Sequence, residues 1–497
     1  MAATTTATRR RGVAVSALVI CAALALLSAV AVAAPQASKP VAVLACLVIA
    51  LAVWHPVLLA WRSLIALMIL VIVFVPVQRY VLPVSLPFQL DLFRVVVVLV
   101  LLGWIASLLA DPAVRLRRTG VGGPLVLIIV SIVASMVANN TRVVARGADA
   151  SKHLTYLLSY VVILLLIVGV TRTDREIDFL LKVLVGAGSF VAGSAIYESR
   201  THYNLFDHLS SVLPVLRQVY VDNGQSDASR GYRVFASSQH PIALSAAFVL
   251  LVPISLYLVH RTRQRRWWVA AGLLLIGTAA TISRTSVIML LVVGVVFVWL
   301  RPREMKRLWP ALIPALVLVH VALPGTLGTL KQSFFPSGGL VSQQTSQVGS
   351  SGQGRLADLG PAFDQVSQDP LFGAGYSTHA VGASGFDGQI LDDQWLMTLV
   401  ETGALGALAW LWLIVRVVRR LRRAAAADRS PQGWLLTSLA ASITAFGAGM
   451  LFFDSFSFIQ VTVVFFLLVA IACVILRRDA YTGTHQVDGL RASPIQE

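Results

Sequence analysis

The stretch LDDQWLMTLVETGALG, residues 391–406, places the acidic side chains Asp392, Asp393 and Glu401 at the start of an apolar helix. A carboxylate can take a proton from an attacking hydroxyl when partial burial raises its pKa. We therefore predict that these three residues are catalytic, with Asp392 as the leading candidate for the base. An aspartate before an apolar helix is also a preferred N-cap, which would explain one aspartate but does not require two. Adjacent aspartates could instead hold a divalent cation, but nothing else nearby forms a convincing ligand set, so no metal or cofactor is predicted.

Three arginines are candidates for binding an anion near a membrane boundary. Arg284, in TISRTS, lies between two apolar runs, where burying its charge is costly unless it is paired or hydrated. Arg233, in GYRVFASSQHP, precedes another apolar run, and Arg355 opens an amphipathic segment. A guanidinium is suited to a lipid-linked anion, with Ser283 or Thr285 as further donors beside Arg284. The alternatives are a snorkelling side chain at Arg284, an ordinary loop charge at Arg233 and lipid headgroup contact at Arg355.

Two histidines and Glu401 have further interpretations. His240 precedes Pro241 and is more typical of a helix start than of a catalyst. His379 lies in the same long polar stretch as the aspartates and is an alternative base. For Glu401, an ion pair with an arginine such as Arg284 is the alternative to a role in positioning the acceptor.

The chain that carries these side chains is too apolar to be a soluble protein. The 497 residues are 57% hydrophobic and 13% charged, and the mean hydropathy is +0.79. A helix needs roughly 20 apolar residues to cross the hydrocarbon core, and the chain offers about fourteen such stretches. We therefore predict an all-α polytopic membrane protein. The predicted spans are residues 13–34, 41–59, 62–78, 92–110, 122–139, 152–170, 178–197, 241–260, 267–282, 285–300, 308–323, 395–417, 433–452 and 457–476.

The positions of the basic residues indicate a membrane topology and not a nucleic-acid-binding surface. The chain has 40 Lys and Arg against 23 Asp and Glu, which gives a formal net charge of +17. Placing the N-terminus inside puts about 26 of the 40 basic residues in every second connection, as the positive-inside rule expects. Both termini are therefore predicted to be cytoplasmic, and no nucleic-acid partner is expected. The first span could alternatively be a cleaved signal peptide, although its apolar run is longer than usual.

Two long outside connections are where function is expected. The predicted division is 1–197 as N-terminal transmembrane helices, 198–240 as an extracytoplasmic loop, 241–323 as transmembrane helices that carry the Ser-Arg motif, 324–394 as a large extracytoplasmic loop, 395–478 as C-terminal transmembrane helices, and 479–497 as a disordered cytoplasmic tail. Within the large loop, the Gly/Ser/Gln-rich residues 336–354 predict a flexible tether.

An amphipathic segment follows this tether. Its apolar residues recur at near-helical spacing and predict short helical structure along the membrane surface: Leu356, Leu359, Phe363 and Val366. Gly360-Pro361 argues against one continuous helix, and Asp369-Pro370 is expected to end it.

The segments GRLADLGPAFDQVSQDPLFGAGY and LDDQWLMTLVETGALG together resemble the large-loop signature of the O-antigen ligase and O-antigen polymerase superfamily. The matching positions are Gly354-Arg355, Pro370-Leu371, Gly373, Gly375, Trp395, Leu396, Glu401, Gly403 and Gly406. TISRTS resembles the family's Ser-Arg element. RVFASSQHP resembles its arginine-to-proline element, with Ala236 and Ser238 where the family has Gly and Phe. The resemblance in motifs covers about residues 230–406.

The resemblance implies a C-type membrane glycosyltransferase fold and activity. Such an enzyme moves a glycan from a polyprenyl diphosphate carrier to an acceptor hydroxyl at the extracytoplasmic face of the bacterial plasma membrane. The implied partners are the lipid-linked donor, a glycan or lipid acceptor, membrane lipids, and a flippase or chain-length partner. Arg233, Arg284 and Arg355 would bind the diphosphate and stabilise the charge that develops on it.

This chain departs from the family pattern at the proposed base. Where the ligases have a histidine followed by an asparagine, it has Asp392 and Asp393. The departure favours a surface-polysaccharide or exopolysaccharide polymerase, or another glycan ligase to lipid or protein, over a lipid A core ligase.

A small-anion transporter of the same superfamily is the main alternative, because outside arginines could bind such anions. Transporters usually place ionisable groups near mid-membrane on interrupted helices. Here the charges cluster at one face and Glu401 is the only deeper acid, so the transferase is the preferred prediction. A scaffold in an export complex has no positive sign in the sequence.

Overall fold

The computed structural model describes residues 60–83, 91–110, 115–219, 226–227, 231–335, 339, 356–379 and 391–491. The helices in this part of the chain are α1 Trp61–Phe74, α2 Leu92–Ala110, α3 Gly122–Ala138, α4 Asn140–Ala145, α5 Gly147–Val170, α6 Asp174–Thr201, α7 Leu209–Val212, α8 Pro241–Thr262, α9 Arg266–Ala280, α10 Arg284–Leu300, α11 Pro302–Leu308, α12 Leu312–Ala322, α13 Thr326–Phe334, α14 Leu359–Gln368, α15 Gln394–Ala427, α16 Pro431–Gly449 and α17 Ile459–Arg491. Two antiparallel pairs of two-residue strands join β1 Tyr80–Val81 to β2 Arg217–Gln218, and β3 Ser226–Asp227 to β4 Gly231–Tyr232.

The prediction of an all-α membrane protein is confirmed. Across the described ranges, six helices are long and apolar enough to cross a membrane, namely α2, α5, α6, α8, α15 and α17. Four shorter apolar helices accompany them, namely α1, α3, α9 and α10. The predicted spans at 13–34 and 41–59 lie outside the described residues, and the total of about fourteen stays a prediction.

Helix α17 forms the centre of the bundle. Its apolar stretch, residues 459–476, is fully buried and packs against α5, α8, α15 and α16. A helix that is apolar on every side needs neighbours all round. Its buried Gln460 donates from Nε2 to the carbonyls of Ile72 (2.7 Å) and Val73 (2.9 Å), so the last turn of α1 is held against it. The helix continues to Arg491, which corrects the expectation of a disordered tail immediately after residue 478.

The connections that the sequence placed outside gather at one end of the bundle. Arg79, after α1, pairs with Asp207 at 2.8 Å, although these residues belong to different predicted outside connections. Asn139, after α3, donates from Nδ2 to the carbonyl of Gly373 in the large loop at 2.8 Å. These contacts join predicted outside connections to one another.

The connections that the sequence placed inside contact one another in the same way. Asp174 pairs with Arg478 at 2.5 Å, and the carbonyl of Gly120 accepts a hydrogen bond from Arg416 at 2.7 Å. Arg301 is buried and donates to the carbonyl of Ala425 at 3.2 Å. The arginines at this end therefore also join helices together.

The amphipathic segment forms α14, as the spacing predicted. Pro361 falls in the first helical turn, where its missing N–H is not needed, and the helix ends before Asp369-Pro370 as expected. Leu359, Ala362 and Val366 pack against the start of α15, whereas Leu356 and Phe363 are exposed. This contact fixes the large loop to the helix that carries Glu401.

Candidate functional site

The motif glycines allow the large loop to enter a kink in α15. Gly403 has φ +63° and ψ −166°, which interrupts the helix, and Gly373 of the loop has φ +69°. A Cβ on Gly403 would lie 2.4 Å from the carbonyl of Leu371, closer than real atoms approach. The freed backbone of α15 bonds to the loop instead: Ala374 donates to the carbonyl of Val400 at 2.8 Å.

This kink sets the position of Glu401. Its carboxylate accepts hydrogen bonds from the backbone N–H groups of Ser377 and His379. Its carbonyl accepts from Ser135 Oγ at 2.6 Å, which attaches it to α3. No arginine forms an ion pair with Glu401 in the part of the chain that the structure describes, so the predicted partner Arg284 is replaced by loop backbone.

A cavity of about 340 Å³ opens beside Glu401. Five aromatic residues line it: Tyr156, Tyr160, Tyr376, Trp410 and Phe456. Its polar lining is Asp149, His153, His379, Gln394, Thr398, Glu401, Thr402, Asp454 and Ser457. Ring faces beside several hydrogen-bonding groups are the lining expected of a pocket for a polar organic ligand such as a sugar.

Asp454 supplies a carboxylate that the sequence analysis missed. It lies in the turn between α16 and α17, where Ser457 Oγ donates to its Oδ2. Removal from water raises the pKa of Asp454 to about 6, hydrogen bonds from Ser457 oppose this rise, and the negative charge of Asp392 adds to it. The sequence signal was an aspartate between the predicted spans 433–452 and 457–476, on the predicted outside.

The two adjacent aspartates have different positions. Asp393 is the N-cap of α15, and its Oδ1 accepts from the N–H of Leu396 at 3.0 Å, as the simpler interpretation proposed. Asp392 lies close enough to Asp454 to raise its pKa, but the described residues that line the cavity do not include it. Among the described residues, no group of three or more His, Cys, Asp and Glu side chains is arranged to hold a metal ion.

The residue after the aspartates joins α15 to the turn that carries Asp454. The backbone N–H of Gln394 donates to the carbonyl of Met450 at 2.8 Å. Its side-chain Oε1 accepts from the N–H of Phe456 at 2.8 Å. Gln394 therefore links the acidic start of α15 to Met450 and Phe456, which lie before and after Asp454 in the chain.

The predicted arginines lie around the turn between α9 and α10. Arg233 is buried and donates from Nε to the carbonyl of Thr281 at 3.2 Å. Arg284 is the first residue of α10 and donates from Nη1 to the carbonyl of Ser333 at 3.1 Å. Arg355 lies outside the described residues.

The segment 231–240 leads from Arg233 towards the cavity. At its other end Gln239 Oε1 accepts from the N–H of Ile459 at 2.8 Å, two residues beyond the cavity residue Ser457. The six Cα–Cα steps from Arg233 to Gln239 span at most about 22 Å. His240 caps α8 by accepting from the N–H of Ile242, which confirms its interpretation as a helix-start residue.

A buried acid holds segment 231–240 in place. Glu198 of α6 accepts hydrogen bonds from the N–H of Ala236 at 2.9 Å and from Tyr232 Oη at 3.2 Å. Arg79 donates to the carbonyl of Ala236 and lies over the Phe235 ring, 4.6 Å from its centroid. Burial lowers the pKa of Arg79, and the charge of Asp207 opposes that change.

A second cation, also missed by the sequence analysis, lies behind the aromatic wall. Arg94 is buried, pairs with Asp91 at 3.5 Å and lies over the ring of Tyr156, 4.2 Å from its centroid. Burial raises the pKa of Asp91, while Arg94 lowers it. Arg94 falls within predicted span 92–110, and no motif in the sequence indicated its contact with a cavity residue.

Comparison with known families decides the assignment of this arrangement. Residues 269–411 match a family model described as O-antigen ligase. This match supports the resemblance to the O-antigen ligase and polymerase superfamily. The resemblance predicted from the motifs is thereby confirmed. No curated protein matches the chain significantly.

The O-antigen ligase match covers part of the site. It contains Arg284, the loop that enters the α15 kink, and Glu401, whereas Arg233 and Asp454 lie on either side of it. The match supports a role in processing glycans at a membrane, and the O-antigen ligase family implies lipid-linked glycans as substrates.

Proposed function

We propose that the protein is a glycosyltransferase that moves a polyprenyl-diphosphate-linked glycan to an acceptor hydroxyl, as a polymerase of a surface polysaccharide or exopolysaccharide. The observation that carries this proposal is segment 231–240: its Arg233 binds the turn that precedes Arg284, and its Gln239 binds the chain next to the acid-lined aromatic cavity. In a transferase, the donor and acceptor sites must adjoin so that the two substrates can react.

The arginines suit the donor. A diphosphate leaving group gains negative charge in the transition state, and fixed guanidiniums stabilise that charge. Arg233 and Arg284 are both anchored on backbone carbonyls around the α9–α10 turn, so their positions are set before the donor binds. Arg355, which precedes α14 in the large loop, would add a third cation.

The cavity suits the acceptor. Its volume of about 340 Å³ and aromatic walls fit one or two sugar rings. The acceptor hydroxyl oxygen attacks the anomeric carbon of the donor sugar, and the bond from that carbon to the diphosphate oxygen breaks. The hydroxyl proton passes to a carboxylate of the wall, and the polyprenyl diphosphate leaves as the anion.

The charge distribution supports an extracytoplasmic reaction. The end of the bundle opposite the cavity carries Arg301, Arg416 and Arg478, and basic connections remain in the cytoplasm. The cavity and the anchored arginines would then face the other compartment. Sites at one end also favour a transferase over a transporter, whose ion sites lie near mid-membrane.

The test is glycan transfer by the purified protein in liposomes. Wild type, Arg233→Ala and Arg284→Ala are supplied with labelled lipid-linked glycan, with Arg217→Ala, an exposed arginine at the same end, as the control. We expect each site variant to lose transfer by about 100-fold or more, and the control to stay near wild type. Wild-type rates in both site variants would refute the diphosphate site, and uptake of small anions without chain growth would favour the transporter.

A further inference from the structure

We propose that Asp454, and not Asp392, is the general base that takes the proton from the acceptor hydroxyl. This inference rests on the proposed function, because it assigns a residue to the transfer reaction. It departs from the sequence prediction, in which Asp392 was the leading candidate and Asp454 was absent.

The first argument is position. Asp454 lines the cavity that the acceptor would occupy, in the same wall as Phe456 and Ser457. Its turn is fixed from two directions. Gln394 of α15 binds the N–H of Phe456 at 2.8 Å, and Gln239 of segment 231–240 binds the N–H of Ile459 at 2.8 Å. Asp454 therefore lies where the element carrying Glu401 meets the segment carrying Arg233.

The second argument is that the three carboxylates predicted from the sequence already have structural partners or a different place. Asp393 caps α15. Glu401 is held by the backbone N–H groups of Ser377 and His379 and thereby fixes the loop in the α15 kink. Asp392 acts on Asp454 through its charge, and the described wall of the cavity does not contain it.

The third argument is chemical. A general base works best when its pKa lies near the operating pH, and the pKa of Asp454 is raised to about 6. At neutral pH most molecules would then carry an ionised Asp454 that is more basic than an ordinary aspartate. Ser457, through its hydroxyl and its backbone N–H, orients the carboxylate while the proton is transferred.

The experiment compares Asp454→Asn, Asp392→Asn and the exposed control Asp364→Asn in the liposome assay across pH. Each variant is also tested for binding of labelled lipid-linked glycan. We expect Asp454→Asn to lose transfer by 100-fold or more while it still binds the donor. Asp392→Asn should lose less and shift the acid limb of its pH profile downward, because removing its charge lowers the pKa of Asp454. Asp364→Asn should behave as wild type.

The outcomes separate this inference from the proposed function. If wild type transfers no glycan, both are overturned. If wild type is active and Arg284→Ala is not, but Asp454→Asn keeps the wild-type rate, only the assignment of Asp454 is overturned. If Asp454→Asn fails to fold, Ser457→Ala decides: loss of its hydrogen bond should raise the pKa of Asp454 and move the acid limb upward, whereas an unchanged limb contradicts the assignment.

Discussion

Gly373 and Gly403 occupy each other's side-chain space: a Cβ built on Gly373 would lie 2.6 Å from the backbone nitrogen of Gly403. Both glycines also have positive φ, a conformation that other residues rarely adopt. The loop and the kinked helix therefore approach each other only because neither residue has a side chain. Glu401, two residues before Gly403, takes its position from this contact.

Replacing Gly403 with alanine should damage both stability and activity. The clash with Leu371 and the positive φ together should cost about 1–3 kcal/mol, and displacement of the loop should remove the backbone donors to Glu401. We expect a lower midpoint of thermal unfolding in detergent and at least tenfold slower glycan transfer. Gly186→Ala is the control, because its Cβ would meet no atom within 4 Å. Equal effects of the two substitutions would show that the close approach is not needed.

Removing the side chain of Gln394 should slow transfer without unfolding the protein. Gln394→Ala breaks the hydrogen bond to the N–H of Phe456, so the turn that carries Asp454 is no longer fixed to α15. The substitution also removes the hydrogen bond from Gln394 Nε2 to Thr398 Oγ1 at 3.3 Å. Each lost hydrogen bond costs about 1–3 kcal/mol, which the bundle should tolerate. We expect at least tenfold slower transfer, unchanged donor binding and a normal elution profile, with exposed Gln368→Ala as control. A normal transfer rate in Gln394→Ala would mean that this link does not position the turn.

Much of the fold was predictable, because apolar length is a strong signal in a membrane protein. The predicted span 92–110 coincides with α2, and 241–260 lies within α8. The helix in the amphipathic segment was also predicted, and α14 forms there. Amphipathic spacing shows that a helix has an apolar face, but it does not show which part of that face packs on protein: Leu359 and Val366 contact the start of α15, whereas Phe363 is exposed.

The site was less predictable, since its parts come from distant segments. The motifs brought Arg284 and Glu401 to attention, and the family match covers both. Asp454 and Arg94 belong to no motif. Gln394 holds the turn that carries Asp454. Arg94 lies over the ring of the cavity residue Tyr156. Adjacent aspartates in sequence suggested a pair, whereas in the structure the charge of Asp392 acts on Asp454 from a different segment.

The two ends of the bundle should face opposite sides of the membrane. In a cysteine-free background, Ser211→Cys reports the cavity end and Arg429→Cys the opposite end, and both positions are exposed. If the positive-inside rule holds, a membrane-impermeant maleimide should label position 211 in intact cells and position 429 only after permeabilisation. The reverse pattern would move the cavity to the cytoplasm and contradict the proposed reaction site.

Asp454 should lower the stability of the protein at neutral pH. Its folded-state pKa of about 6 lies above its ordinary value of 3.8, so the folded protein binds this proton more tightly than the unfolded chain. The stabilisation from the bound proton is complete below about pH 4 and is lost as the pH rises to about 6. Asp454→Asn has no charge to bury, so its free energy of unfolding at pH 7.5 should exceed that of wild type by about 1–3 kcal/mol. Thermal unfolding of both proteins at pH 4.5 and 7.5 measures the effect, and an equal difference at both values would mean that Asp454 carries no such cost. We therefore expect Asp454→Asn to be more stable than wild type but inactive, because the buried charge that destabilises the fold is needed for the reaction.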